Sequence, residues 1–213
     1  YAGGGEKTVR GNVSYGYGVW KTIDGGKTWE HMGLKDSRHI SRIRIDKNDP
    51  NLVYAAVMGD LFKDSEERGI YKSTDGGNTW RELKTGLPEE DMGKVGLAIS
   101  PQKPDVVYAT IELPGREGGF WRSEDSGETW EKRNEYLSSG TGPHYYQELF
   151  ASPHHFDEIY LADNYMQVSF DGGKTFERMN EEEKHVDNHA VAFKPNDPNY
   201  ILVGCDGGLY ESF

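Results

Sequence analysis

Ser73-Thr74-Asp75-Gly76-Gly77-Asn78-Thr79-Trp80 decides the fold, because the chain writes it four times. Thr22-Ile23-Asp24-Gly25-Gly26-Lys27-Thr28-Trp29 comes before it; Ser123-Glu124-Asp125-Ser126-Gly127-Glu128-Thr129-Trp130 and Ser169-Phe170-Asp171-Gly172-Gly173-Lys174-Thr175-Phe176 follow. A β-rich run flanks each copy, and Asp-Gly between two such runs signals a hairpin. The aspartates (Asp24, Asp75, Asp125, Asp171) can accept hydrogen bonds from N–H groups of their own turn, while the glycines supply positive φ. The threonine starts a return strand, and the aromatic (Trp29, Trp80, Trp130, Phe176) offers a large apolar surface. A catalytic site is rarely needed four times in a row, so the repeat reads as a folding unit.

The four octapeptides resemble the Asp box, or bacterial neuraminidase repeat, which turns the chain between the two outer strands of a β-propeller blade. Asp boxes occur in sialidases, xyloglucanases, photosystem assembly factors and sortilin-type receptors. The wider repeat, with Asp49-Pro50-Asn51 and the following Tyr54-Ala55 strand, is similar to that of large secreted bacterial proteins described as sortilin-like or glycosyl-hydrolase-like. The resemblance covers essentially the whole chain and is specific for fold rather than function. It implies an extracellular or cell-envelope location and needs no cofactor.

The box aromatics stand 51, 50 and 46 residues apart, a period that fits four strands per repeat. Segments 1–35, 36–86, 87–137, 138–181 and 182–213 are the expected blades. In the second, strands are expected at Ser41–Ile45, Leu52–Val57, Gly69–Ser73 and Thr79–Leu83, and the other segments repeat the scheme. Tyr54, Tyr108 and Tyr160 hold equivalent places in second strands and read as core between blades. No helix is expected. Tyr1 opens in mid-strand, and Ser212-Phe213 matches Ser169-Phe170 one residue short of a fifth Asp. The expectation is an all-β partial propeller, with the remaining blades of the full-length chain as its first partners.

Composition narrows the partners. A net charge of −12 argues against nucleic acid, and no apolar run reaches the roughly 20 residues of a membrane helix, so no membrane insertion is expected. Cys205 is the single cysteine and follows an apolar run, which reads as a buried small hydrophobe.

In a four-stranded meander the boxes share one face with the Asp-Pro-Asn turns, and the opposite face collects longer loops, where function concentrates. Those loops are Glu6 to Tyr17, Gly59 to Arg68 and Glu112 to Gly118, together with the links between blades. The links carry His39, Asp91, Lys94, His144, Tyr145, Tyr146, His185, Asp187, Asn188 and His189, a mixture of acids, bases and aromatics that suits a ligand site. If His185 to His189 is extended, then His185, Asp187 and His189 share one side at a spacing suited to a metal ion, with His144 one blade earlier. The rival reading is a polar lining that binds water and backbone.

Sialidase chemistry needs clustered arginines, but these look scattered and the Arg-Ile-Pro signature of those enzymes is missing. Xyloglucanase-type hydrolysis needs two carboxyls across a cleft, for which Asp91, Asp187 and Glu148 are candidates. No phosphate loop or dinucleotide fingerprint is present. The leading expectation is a binding or scaffold module recognising protein, peptide or glycan through the loop face. Its alternatives are a polysaccharide hydrolase and an assembly factor that docks a partner.

Overall fold

The computed structural model describes residues 1–136, 138 and 146–212. Five antiparallel sheets follow one another along the chain. The first holds β1 (Ala2–Gly3), β2 (Val19–Lys21) and β3 (Glu30–His31). The second holds β4 (Ile40–Ile45), β5 (Val53–Val57), β6 (Gly69–Ser73) and β7 (Arg81–Leu83). The third runs β8 (Val95–Ile99), β9 (Val107–Leu113), β10 (Glu117–Ser123) and β11 (Glu131–Asn134). The fourth runs β12 (Glu148–Ala151), β13 (Ile159–Ala162), β14 (Gln167–Ser169) and β15 (Glu177–Arg178). The fifth has β16 (Asn188–Phe193), β17 (Ile201–Cys205) and β18 (Gly208–Ser212). Every sheet is a simple meander, and the single helical turn among the described residues is Pro114–Arg116.

Each Asp box makes the same knot. Thr79 donates both its N–H (2.9 Å) and its hydroxyl (2.6 Å) to the Asp75 carboxylate, and the Ser73 hydroxyl adds a third bond (2.7 Å). Gly77 N–H closes the turn on Ser73 Oγ at 2.8 Å. The turns at Asp24, Asp125 and Asp171 repeat these bonds. This knot corrects the expected start of the fourth strands. Because the Thr N–H is spent on the carboxylate, strand pairing begins two residues later, at Arg81 rather than Thr79.

The knots shift acidity. Bonds from the Thr79 hydroxyl and N–H hold Asp75 at about 2, and those from the Thr28 N–H and hydroxyl do the same for Asp24. Burial pushes Asp125 and Asp171 upward, but their Thr129 and Thr175 bonds outweigh it and the net shift is down.

A backbone bond ties each of three boxes to the first turn of its own sheet. Gly76 N–H reaches Asn51 O (2.9 Å), Ser126 N–H reaches Asp105 O (2.8 Å) and Gly172 N–H reaches Asp157 O (3.0 Å). Boxes and first turns therefore share one face, and the long loops lie at the other end of the strands. The Glu112 to Gly118 loop is shorter than expected: β9 and β10 pair out to Leu113 and Glu117, leaving only the helical turn.

Apolar side chains fill the four gaps between consecutive sheets. Val19, Met32, Ile40 and Trp80 fill the first; Tyr54, Ile70, Leu97 and Trp130 the second. Tyr108, Phe120, Leu149 and Phe176 fill the third; Tyr160, Met166, Val191 and Val203 the fourth. The tyrosine column is thus core between sheets, and Tyr54 and Tyr108 also donate hydroxyl bonds to the next sheet, at Ser126 O and Asp157 Oδ1 (both 2.8 Å). Box aromatics serve the gap to the preceding sheet. Trp130 is 6% exposed there, whereas Trp29, with no preceding sheet beside it among the described residues, is 46% exposed.

Candidate functional site on the loop face

Strands β4, β8, β12 and β16 lie side by side as the first strands of consecutive sheets. Their starting ends, at the loop face, bring charged side chains together. Glu148, the first residue of β12, is the focus. Lys7 Nζ lies 2.7 Å from its Oε1, Lys94 Nζ lies 3.6 Å from the same atom, and the Arg42 guanidinium pairs with Oε2. Arg44, two residues along β4, donates from Nη2 to Leu149 O at 2.9 Å. Lys94 is 1% exposed, and its N–H donates to Glu112 Oε2 at 3.1 Å.

Three cations around one carboxylate, with Arg44 beside Arg42, disturb one another. Burial, then Lys7 and Arg42, holds Lys94 down to about 7. Burial, then Arg42 and Arg44, holds Lys7 at about 8. Burial lowers Arg42 to about 10, and burial with Arg42 lowers Arg44 to about 9. The arginines that looked scattered are thus partly gathered, because residues two apart on one strand share a face. Lys7 arrives from a loop 141 positions away, which no local pattern could reveal.

Beside this cluster, Arg68 organises the loop face. Its guanidinium donates to Asp60 O (2.5 Å) and Met92 O (3.2 Å) and stands 4.0 Å from the Asp91 carboxylate. The Gly59 to Arg68 loop is thereby fastened to the link before β8. A depression of about 460 Å³ opens between Arg68, Asp91, Lys94, Glu112 and Arg116. Tyr15, Tyr17 and Phe62 are exposed on the loops around it.

The structure divides the residues nominated from sequence. His39 is fully buried, with Nδ1 3.0 Å from Glu6 O and its ring edge-on to Tyr15; burial lowers its pKa. His144 and Tyr145 lie outside the described residues. Tyr146, Asp187, Asn188 and His189 meet at the gap between the fourth and fifth sheets. The Tyr146 hydroxyl and the Asn164 amide both donate to Asp187 Oδ1 at 2.5 Å, and the Tyr146 ring stacks on His189. Asn188 donates to Asp163 O and Glu181 Oε1, both at 3.1 Å.

The geometry does not bring His185, Asp187 and His189 together. Asp187 has a φ of +66°, so the alternation that would set the three on one side is broken before β16 begins. His185 turns to Val186 O (2.7 Å) and His189 to Asp206 (2.8 Å). Among the described residues no group of three His, Cys, Asp or Glu side chains could hold a metal ion. The candidate hydrolytic carboxylates are also separately committed: Asp91 beside Arg68, Asp187 to Tyr146 and Asn164, Glu148 to three cations.

No family model matches the chain. In architecture it is similar to the crystal structure of the GH74 xyloglucanase from Xanthomonas campestris, with a TM-score of 0.70 over 98% of this chain and 36% of that one, at 17% identity. An ancestral GH74 enzyme gives 0.67 over 95% of this chain and 27% of that one, at 16% identity. The five sheets are β-propeller blades. By sequence the propeller is 30% identical to xyloglucanase Xgh74A of Acetivibrio thermocellus over 138 residues, which is 58% of this chain and 16% of that protein. It is 27% identical over 130 residues to vacuolar protein sorting/targeting protein 10 of Fusarium vanettenii, covering 60% of this chain and 8% of that one. The propeller therefore spans about a sixth of the xyloglucanase and less of the sorting protein. Among the described residues no helix is long and apolar enough to cross a membrane.

Proposed function

We propose that these blades belong to a binding module that recognises a glycan through the loop face. The observation that carries this reading is the placement of Tyr15, Tyr17 and Phe62, exposed on loops that surround a charged axis. Sugar rings offer apolar C–H faces to aromatic rings and hydroxyls to charged groups, and this face supplies both. Trp80, Trp130 and Phe176 cannot serve, since they are used between blades. An extracellular or cell-envelope location goes with this reading, as the resemblance to secreted repeat proteins implies. The test is titration of soluble oligosaccharides, including a xyloglucan heptasaccharide, into the folded protein and into a Tyr17→Ala, Phe62→Ala double variant. Glycan binding lost in the variant at unchanged melting temperature supports the proposal; absence of binding to every oligosaccharide ends it.

A second reading is hydrolysis, favoured by the sequence similarity to xyloglucanases. It requires two carboxyl groups facing each other across a cleft. Release of reducing sugar from xyloglucan, abolished by Asp91→Asn or Asp187→Asn in a protein that stays folded, would establish it over simple binding.

A further inference from the structure

We propose that Lys7, Arg42 and Lys94 form a subsite for the carboxylate of a uronic acid in an acidic glycan, a place that Glu148 occupies from within the chain. The proposal rests on the glycan reading above and names its substrate class.

Charge is the first argument. The chain carries −12 overall, yet Lys7, Arg42 and Lys94 crowd a single carboxylate at the axis, and Arg44 stands close enough to Arg42 to be repelled by it. Such an excess in one place costs desolvation and mutual repulsion unless something anionic offsets it. Glu148 offsets one charge and Glu112, beside Lys94, a second. Glu148 also shows the geometry, since a carboxylate there receives two ammonium groups and a guanidinium at once.

The surroundings are built rather than accidental. Lys94 and Glu148 are buried, and Arg42 Nε, Thr110 Oγ1 and Gln147 Nε2 are buried with no hydrogen-bond partner among the described residues. β8 and β12 approach so closely at Gly96 that a Cβ there would collide with Gln147 O and Thr110 Oγ1. That approach sets Lys94 and Glu148 side by side.

Access comes from the loop side. Lys7 is half exposed, and the 460 Å³ depression reaches Lys94. Tyr15 and Phe62 are exposed rings on the two loops that supply Val9 and Leu61 to its lining, which favours a sugar acid over an acidic peptide.

The groups facing Lys94 are Lys7 from the first loop, Arg42 on β4, Glu112 on β9 and Glu148 on β12; Lys7 itself faces Arg42 and Arg44. Both lysines are held low, near 7 and 8, so an arriving carboxylate favours their protonated forms. Binding should take up protons and weaken as pH rises through that range.

The experiment is calorimetric titration at pH 7.5, between the two lysine values, of trigalacturonate, its methyl ester, a xyloglucan heptasaccharide and triglutamate. Trigalacturonate is expected to bind with proton uptake and its neutral ester at least tenfold more weakly. Lys7→Glu, at the exposed edge of the cluster, should weaken trigalacturonate at least tenfold without lowering the melting temperature, and Lys7→Arg should restore it. No binding of trigalacturonate, equal binding of its ester, indifference to Lys7→Glu, or equal binding of triglutamate each overturns the subsite. Heptasaccharide binding without trigalacturonate overturns the subsite alone, whereas failure of both sugars removes the glycan reading with it.

Discussion

Arg122 on one blade and Asp157 on the next are joined across the gap between them, with Nη1 3.0 Å from Oδ1. The same carboxylate accepts the Tyr108 hydroxyl at 2.8 Å. Both donors belong to the third sheet, and Asp157 sits in the first turn of the fourth. Asp157→Ala leaves a nearly buried guanidinium with only Glu124 for a counter-charge and a buried phenol with only the Ser100 hydroxyl beside it. The expected cost is about 2–3 kcal/mol, the range for stranding buried donors of which one is charged. Denaturant unfolding measures it, and a loss under about 0.5 kcal/mol would show that the pair only decorates the gap.

Acid should loosen the boxes. Asp24, Asp75, Asp125 and Asp171 all have folded pKa values below their ordinary ones, near 2 for the first two. A lowered carboxyl contributes stability above its unfolded pKa of about 3.9 and loses it as pH falls through the folded value. The melting temperature should therefore fall steeply between about pH 4 and pH 2. Replacing all four aspartates by asparagine should lower stability at pH 7 and flatten that slope. An unchanged slope in the variant would assign acid sensitivity to other groups.

The repeat made the fold legible. One octapeptide, with its carboxylate, glycines and aromatic at fixed places, implies the turn, the two flanking strands and the packing surface together. The tyrosine column was readable for the same reason, since equivalent places in a repeat meet equivalent neighbours. A further periodic signal went unused: Lys21, Lys72 and Arg122 each precede the box Ser or Thr, and each reaches the next blade, at Gly76 O, Glu128 and Asp157. The axial cluster was not readable. Lys7, Arg42, Lys94 and Glu148 come from four different blades, and their meeting depends on the curvature of the whole array. The His185 to His189 spacing misled because alternation assumes an extended chain, and the positive φ at Asp187 breaks it.

The histidine segment should accordingly behave as structure. Tyr146→Phe removes a donor from Asp187 but leaves the Asn164 amide, so a loss of about 1 kcal/mol is expected. Zinc should leave the melting temperature where it was, because His185, Asp187 and His189 have separate partners. A melting temperature that climbs with zinc concentration, and stops climbing in His189→Ala, would show that the segment rearranges around a metal.

Gly96 offers the sharpest test of the packing that makes the axial cluster. Its backbone does not need the left-handed region, so any effect of a side chain there is steric. A methyl group would meet Gln147 O across the β8–β12 contact and the Thr110 hydroxyl on β9, and backbone cannot swing aside as a flexible side chain can. Gly96→Ala should cost about 1–3 kcal/mol, the range for overpacking, and should separate Lys94 from Glu148. The ammonium would then titrate differently, which heteronuclear NMR of lysine Nζ can follow. Gly11→Ala is the control, since nothing lies within 4 Å of a Cβ at that place. If Gly96→Ala melts with the wild type and leaves the Lys94 signal unmoved, the two strands have room to spare and the close approach does not set the cluster.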